Sequence, residues 1–323
     1  MDDLTHANYG LSAGTQAHPV DDSDNSLPRA VLRPGNHFLL DGTWRFAVDL
    51  DDIGLTEEWA EGYDFTHTAQ WPGSIEEHMA QAHTGGATAW QDKIVAWYER
   101  EFTLPELAES QRKTLFQLTF GACGYETRVW LNGQLLTTIE GESIHYGEYT
   151  SFTYELPEEY LHLNNRLTVR IADTMDAETT RGKQESHVYK RGGIWYQTYT
   201  GAVRSVWLET VERNRLRSRV GVVSTIEDQL VRFNLTLRVH DAGDYVVRLQ
   251  VFDSEDVIGV KALANSDFPL RLTEGQHEQR LVLEIPGAEV WCPENPHRYR
   301  LVAQLIDEAG YVAQIEARFG LRK

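Results

Sequence analysis

The strongest constraint on the fold is an apolar side chain at every second position, repeated in one segment after another. Val231 begins a run of five apolar odd-numbered positions that ends at Val239, and Phe116, Leu118 and Phe120 alternate with polar neighbours. A period of two places the apolar side chains on one face of a strand, so each run is expected to be a half-buried antiparallel strand. Strands do not alternate with helical patterns, which excludes a parallel-sheet fold. The sequence predicts an all-β protein.

Local signals add two details to this prediction. Asn132-Gly133 follows a strand-like run and predicts a tight β-hairpin. Ser74 followed by Glu77 has the spacing of a capping box, which predicts a short helix within residues 74–82.

The chain of 323 residues is long enough for two domains. Residues 1–36 are polar and are expected to form an N-terminal arm. Residues 37–211 are predicted to form the first domain and residues 212–323 the second, with a charged, arginine-rich cluster near residues 211–219 at the junction. Strand spacing in the last hundred residues or so is typical of a small immunoglobulin-type sandwich.

The charge and the cysteines exclude several classes of protein. A formal net charge of −19 argues against binding to nucleic acid or to an anionic membrane. Cys123 and Cys292 are the two cysteines, and they predict neither a disulfide framework nor a Cys-X-X-Cys metal site. The acidic N-terminus does not match a signal peptide, and no apolar run is long enough to span a bilayer. We therefore expect a reduced, cytoplasmic protein.

A series of turn-rich motifs runs through most of the chain. In order, they occupy residues 40–46, 71–74, 97–105, 129–133, 165–170, 193–195, 206–209, 291–299 and 319–322. This succession resembles glycoside hydrolase family 2, the family of β-galactosidases, β-glucuronidases and β-mannosidases. The resemblance implies a jelly-roll-like (galactose-binding-like) β-sandwich followed by an immunoglobulin-like β-sandwich. The Gly-Lys-Gln at residues 182–184 is similar to that of some bacterial members, but Ala202 and Val203 replace their second Ile-Trp pair, so the sugar is not ranked.

The resemblance also concerns catalysis. Members of the family hydrolyse glycosides with retention, through two glutamates held on a (β/α)8 barrel. The acid/base glutamate of the family directly follows an asparagine, and these residues contain no Asn-Glu dipeptide. We expect no catalytic residue and no hydrolysis in this chain alone. No cofactor or metal is expected either, because the spacing of His67, His78 and His83 fits no zinc pattern.

The candidate sugar-binding segment is the loop-rich stretch of residues 173–199. Carboxylate, amide and basic side chains suit sugar hydroxyls, and aromatic rings suit pyranose faces. The candidates are Asp173, Asp176, Arg181, Lys183, Gln184, Trp195, Tyr196 and Tyr199. As the plainer alternative, Arg181 and Lys183 pair with neighbouring acids and Trp195 fills the core.

Further aromatic residues lie outside the 173–199 segment. Trp90, Tyr146 and Tyr149 are weaker candidates for the same end of the sandwich, and structural roles are expected for Trp44, Trp130, Trp207 and Trp291.

The favoured function is that of the non-catalytic N-terminal portion of a family 2 glycosidase, which supports the barrel and contributes to carbohydrate binding. The implied partners are a β-glycoside, a catalytic barrel in the same chain or in a second one, and a further copy in a homo-oligomer. Two alternatives stay open: a free-standing lectin-like protein and the structural subunit of a split glycosidase.

Overall fold

The computed structural model divides the chain into two compact units. One comprises Met1–Leu27 and Asn36–Thr210, and the other Pro28–Gly35 and Val211–Lys323. The structure describes residues 15–16, 18–19, 31–32, 37–82, 93–104, 114–225, 229–253, 261–310 and 312–322. Most of the predicted arm, His83 and Trp90 lie outside them. Within the described ranges, no helix has both the length and the apolar character needed to cross a membrane.

The first unit is built from short and medium strands and one α-helix. Its first strands are β1 (Thr15–Gln16) and β2 (His18–Pro19). The next strand in the chain, β3 (Val31–Leu32), belongs to the second unit. The next elements are β4 (His37–Leu39), β5 (Gly42–Val48), β6 (His67–Trp71), β7 (Gly73–Ser74), α1 (Ile75–Gln81), β8 (Lys93–Thr103) and β9 (Thr114–Phe120). They are followed by β10 (Glu126–Leu131), β11 (Gln134–Leu135), β12 (His145–Tyr146), β13 (Phe152–Glu155), a 3-10 helix (Glu158–Tyr160), β14 (Asn164–Thr174), β15 (Gly201–Ala202) and β16 (Val206–Glu212).

Two sheets enclose the core of this unit. The larger has the order β11-β10-β14-β8-β5-β6, with β1 added to β8 and β12 to β10, and the smaller has the order β13-β9-β16-β4-β2. Strand alternation turns Phe46 and Tyr98 of the larger sheet toward Phe120 and Tyr154 of the smaller one, and all four rings are buried in one core. This is the expected jelly-roll-like sandwich.

The outer face of the larger sheet departs from the sequence-based expectation. Trp97 and Trp130 point away from the main core, yet both are buried and stack on each other with ring centroids 5.2 Å apart. Trp59 and Phe65, from the connection between β5 and β6, cover them in a second apolar cluster. The prediction that each alternating run is half-buried is therefore wrong for β14, and also for β9 of the smaller sheet, because both strands are buried on both faces. Strand β8 is buried on both faces as well.

The two local signals are confirmed. Ser74 Oγ accepts a hydrogen bond from the Glu77 N–H at 3.1 Å and caps α1. Asn132 and Gly133 have φ of 52° and 84°, the left-handed pair that joins β10 to β11 in a tight hairpin.

The second unit is an immunoglobulin-like sandwich. Its strands are β3, β17 (Arg215–Thr225), β18 (Leu230–Val239), β19 (Gly243–Asp253), β20 (Ala264–Leu272), β21 (Gly275–Glu284), β22 (Tyr299–Asp307) and β23 (Val312–Phe319). They form the sheets β17-β18-β21 and β20-β19-β22-β23-β3. The alternating apolar positions of β18 are buried between them, as predicted.

The charged cluster at the predicted junction has strand structure over most of its length. Most of it lies within β17, where Arg215 is buried and its Nη1 donates to the Glu212 carbonyl at 3.1 Å.

Candidate functional site

Residues 175–200 connect β14 to β15 in the first unit and form a compact loop, which we call the anchored loop. The Tyr196 N–H donates to the Lys183 carbonyl at 2.8 Å, and the Glu185 N–H donates to the Tyr196 carbonyl at 2.7 Å. Near the tip, Gly192 and Trp195 exchange backbone hydrogen bonds of 2.9 and 3.1 Å. The loop therefore has a defined conformation without containing a strand.

Three buried carboxyl groups lie beneath this loop. Glu76, Glu148 and Asp173 are each 2% exposed. Arg181 reaches down from the loop, and its Nε lies 3.2 Å from Asp173 Oδ2 in an ion pair. The Arg181 Nη1 also donates to the Glu185 carbonyl at 3.3 Å. A buried guanidinium thus ties the start of the loop to the end of β14.

Gln184 connects the loop to a second part of the unit. Its side-chain Nε2 donates to the Glu148 carboxyl group, with an N–O distance of 2.8 Å to Oε2. Its Oε1 accepts the Tyr199 N–H at 2.6 Å. One buried amide therefore holds both arms of the loop against the 144–151 segment that carries Glu148.

Thr200 fixes the far end of the loop. Its N–H donates to Glu76 Oε2 at 3.1 Å, and its hydroxyl donates to Asp173 Oδ2 at 3.1 Å. Its carbonyl accepts the Ile75 N–H at 2.8 Å. The capped helix α1 and strand β14 are both attached to this one buried residue.

Burial dominates the electrostatics of the network. It raises the pKa of Glu148 to about 7, an effect that the Gln184 hydrogen bond reduces and the Asp173 charge increases. Burial also raises the pKa of Asp173 to about 6, against the lowering effect of Arg181. Raised carboxyl pKa values are common in catalytic acids, but these two groups are enclosed and engaged within the protein. Their arrangement suits anchoring the loop and not proton transfer to a substrate.

The opposite side of the loop faces solvent and is apolar and aromatic. Val188, Ile194 and Tyr196 are 66%, 61% and 66% exposed. Trp195 is half-buried and stacks on Tyr189, with ring centroids 4.2 Å apart and an interplanar angle of 13°. The anchored loop contains four lysines and arginines and three acidic residues. Arg181 pairs with the buried Asp173 and Arg191 pairs with Glu185, while Lys183 and Lys190 are exposed. The outer side of the loop therefore presents aromatic rings and two exposed lysines.

The structure separates the predicted site residues into two groups. Asp173, Arg181, Gln184 and the Tyr199 backbone meet in the buried network, so the ion-pair alternative describes Arg181. The second group is exposed or half-buried and consists of Asp176, Lys183, Trp195, Tyr196 and the Tyr199 side chain.

Two of the exposed residues have further local roles. Asp176 holds a local turn, in which its Oδ1 accepts the Glu178 N–H at 2.9 Å. Trp195 lies in the loop and not in the core of the sandwich. A sugar-binding role for any of the eight residues stays a prediction.

Sequence reasoning missed Glu76, Glu148 and Thr200. Glu76 occupies the first turn of the capped helix, so the capping box gave a signal for its position but not for its partner. Glu148 and Thr200 carry no motif, because their role comes from contacts between residues distant in sequence. Tyr149, a weaker candidate, does adjoin the network, with its hydroxyl 3.1 Å from Gln184 Nε2.

Histidine and tryptophan positions agree with structural roles. His78 is buried, with its Nδ1 2.9 Å from the Tyr98 hydroxyl. Among the described residues, no group of three or more His, Cys, Asp or Glu side chains is arranged to hold a metal ion. The structural roles expected for tryptophans are confirmed by burial for Trp44, Trp130 and Trp207, and Trp291 is half-buried.

Comparisons with known proteins point to one family. The family model described as "Glycosyl hydrolases family 2" matches residues 215–322. A human β-glucuronidase is 26% identical over 296 residues, which cover 82% of this chain and 41% of that protein. A putative β-glucuronidase from Formosa agariphila is 22% identical over 227 residues, which cover 70% of this chain and 25% of that protein. The chain thus spans less than half the length of these curated relatives.

Solved structures share the fold. A β-glucuronidase from Ruminococcus gnavus in complex with D-glucuronic acid aligns with a TM-score of 0.64 at 18% identity, over 95% of this chain and 47% of that one. A Bacteroides uniformis β-glucuronidase aligns with a TM-score of 0.66 at 15% identity, over 89% of this chain and 32% of that one.

Proposed function

We propose that the chain is a non-catalytic portion of a family 2 glycosyl hydrolase and that it contributes one wall of a glycoside pocket. The observation that carries this proposal is the anchored loop. Its inner side is fixed by buried carboxyl groups, and its outer side presents aromatic rings and basic groups to solvent. Rings and hydrogen-bonding groups on a rigid support are the elements of a saccharide site.

A β-glucuronide is the substrate class that the loop favours. The curated relatives are named as β-glucuronidases, and one structural relative is described in complex with D-glucuronic acid. The carboxylate of such a sugar would be attracted by the exposed Lys183 and Lys190. A neutral galactoside or mannoside would gain no ionic attraction from these two lysines.

The proposal assigns the cleavage step to another domain. Glu148 and Asp173, the acids whose pKa values are raised toward neutrality beneath the loop, serve as its anchors. A catalytic barrel, in the same chain or a second one, would supply the reacting carboxyl groups. The exposed Val188 and Ile194 support this assignment, because apolar side chains at a loop tip suit contact with a further domain or ligand. Cytoplasmic location and homo-oligomer formation stay predictions.

Calorimetric titration of the purified chain tests this function. We expect saturable binding of D-glucuronate with a Kd of about 1 mM, since one wall of a pocket supplies only about 4 kcal/mol. A chromogenic β-glucuronide should not be hydrolysed. Lys183→Ala and Trp195→Ala should each abolish detectable binding, the first by removing charge and the second by removing the ring.

The control is Lys261→Ala, which makes the same charge change at an exposed position of the second unit. It should leave the titration unchanged. Absence of binding, or binding that survives both loop variants, would refute the proposed site.

A further inference from the structure

A separate cleft opens on the first unit, beside the segment that supports the anchored loop. Its volume is about 490 Å³, and its lining includes Glu140, Glu142, His145, Tyr146, Ser151 and Phe152. None of these residues belongs to the anchored loop. The 144–151 segment has two roles, because Glu148 and Tyr149 contact Gln184 while His145 and Tyr146 face the cleft.

One wall of the cleft is a closed turn. The Thr138 N–H donates to the Glu142 carbonyl at 2.8 Å, and the Glu142 N–H donates to the Thr138 hydroxyl at 3.2 Å. Gly141, with φ of 93°, provides the left-handed conformation that the turn requires, and its N–H donates to the Thr138 carbonyl at 2.8 Å. These bonds fix the backbone positions from which Glu140 and Glu142 extend.

An aromatic stack supports another part of the lining. The His145 ring lies on the Phe152 ring, with centroids 3.8 Å apart and an interplanar angle of 17°. Phe152 is buried in the sandwich core, so the imidazole rests on a rigid surface. Burial lowers the pKa of His145, and its ring already interacts with the Gly147 backbone and with the Thr150 hydroxyl, which lies 3.5 Å from its Nε2. The cleft is therefore largely formed in the absence of a ligand.

The chemistry of the lining favours a neutral polyhydroxylated ligand. Carboxylates accept hydrogen bonds from hydroxyl groups, and the Ser151 hydroxyl can donate or accept one. Tyr146, 58% exposed, offers a ring face to the C–H surface of a pyranose. The lining residues that the structure describes include two glutamates and no lysine or arginine, so an anionic sugar would be repelled.

We propose that this cleft is a second saccharide-binding site, specific for neutral sugars and separate from the anchored loop. It would take a neutral mono- or disaccharide, with Glu142 and Glu140 accepting from sugar hydroxyls and Tyr146 stacking on the ring. Its preference is opposite to that of the anchored loop, whose exposed Lys183 and Lys190 suit glucuronate. The inference does not depend on the proposed function, since it uses different residues and a different ligand charge.

Saturation-transfer difference NMR on the intact chain tests the cleft. The probes are methyl β-D-glucopyranoside, methyl β-D-galactopyranoside, cellobiose, D-glucuronate and D-glucosamine. We expect saturation transfer to at least one neutral probe, and a loss of about fivefold or more in affinity for it in Tyr146→Ala and in Glu142→Gln. Both positions are exposed, so these variants should keep the melting temperature of the wild type.

The matched control is Tyr196→Ala, which removes an exposed tyrosine from the anchored loop. It should leave binding of the neutral probe intact. The cleft proposal is overturned if no neutral probe binds, if Tyr146→Ala has no effect, or if only the cationic D-glucosamine binds. Glucuronate binding that depends on Lys183 but not on Tyr146 reports on the proposed function alone, so the two proposals can fail separately.

Discussion

Gln184 connects the anchored loop to the 144–151 segment. Its amide meets the Glu148 carboxyl group at 2.8 Å on one side and the Tyr199 N–H at 2.6 Å on the other. Glu148 is buried, so without this donor it would lose hydrogen bonds that water cannot easily replace. The sequence suggested Gln184 as a sugar ligand, and in the structure its side chain joins the loop to the 144–151 segment by hydrogen bonds.

Gln184→Ala should destabilise the first unit by about 1–3 kcal/mol, the cost of leaving a buried polar group without its partner. Amide hydrogen exchange of residues 183–199 should become faster. Chemical denaturation and hydrogen exchange measured by mass spectrometry check both effects. Gln197→Ala, an exposed glutamine of the same loop, is the control and should behave as wild type. Equal stability of the two variants would mean that Gln184 does not anchor the loop.

The buried carboxyl groups predict a pH dependence. The pKa of Glu148, about 7, and that of Asp173, about 6, exceed ordinary carboxyl values, so the folded state binds these protons more tightly than the unfolded state. Their contribution to stability is present at low pH and is lost as the pH rises through 6 to 7. His78 and His145, whose pKa values are lowered by burial, contribute with the opposite sign below neutrality.

Glu148→Gln isolates the carboxyl contribution. The difference in unfolding free energy between wild type and variant should shift in favour of the variant by about 1–3 kcal/mol between pH 5 and pH 8. Thermal or urea denaturation across this range measures the shift. A difference that does not change with pH would show that Glu148 keeps an ordinary pKa.

At the scale of elements, the loop is held by three segments that are distant in sequence. Helix α1, strand β14 and the 144–151 segment meet it through Thr200, Arg181 and Gln184. A close backbone contact completes the support. The Gly124 and Gly201 backbones exchange hydrogen bonds of 3.1 Å in each direction, and a Cβ on Gly124 would lie 2.3 Å from the Gly147 carbonyl oxygen. Only glycine fits there, because the obstacle is backbone and not a movable side chain.

Gly124→Ala should therefore destabilise the first unit by about 1–3 kcal/mol through overpacking, and should speed amide exchange in residues 144–151. Gly62→Ala is the matched control, since the nearest atom to its added Cβ is 3.9 Å away. Urea denaturation with exchange mapping compares the two variants. Identical behaviour would show that the 144–151 segment can move without cost.

Local sequence patterns predicted the elements better than the site. The period-two runs, the Ser74 cap and the Asn132-Gly133 hairpin depend on neighbouring residues, and the all-β fold follows from them. Burial of the outer sheet face was missed, because the covering Trp59 comes from a connection without strand character. The network of Glu76, Glu148 and Thr200 was missed for a related reason: its members are separated by up to 124 positions.

At the scale of the whole molecule, two β-sandwich units make up the described chain, and each has its own core. Curated relatives extend well beyond the region that this chain matches, which covers 25% of one and 41% of another. The role that we propose for this chain is therefore binding and support. Hydrolysis is assigned to a barrel that would complete the pocket.

The central claim is that the anchored loop contacts an acidic sugar. Hydrogen–deuterium exchange of the intact chain, with and without saturating D-glucuronate, maps that contact directly. The account predicts slower exchange in residues 181–199, with little change in the second unit. Unchanged exchange in residues 181–199, or protection found only elsewhere, would contradict the claim.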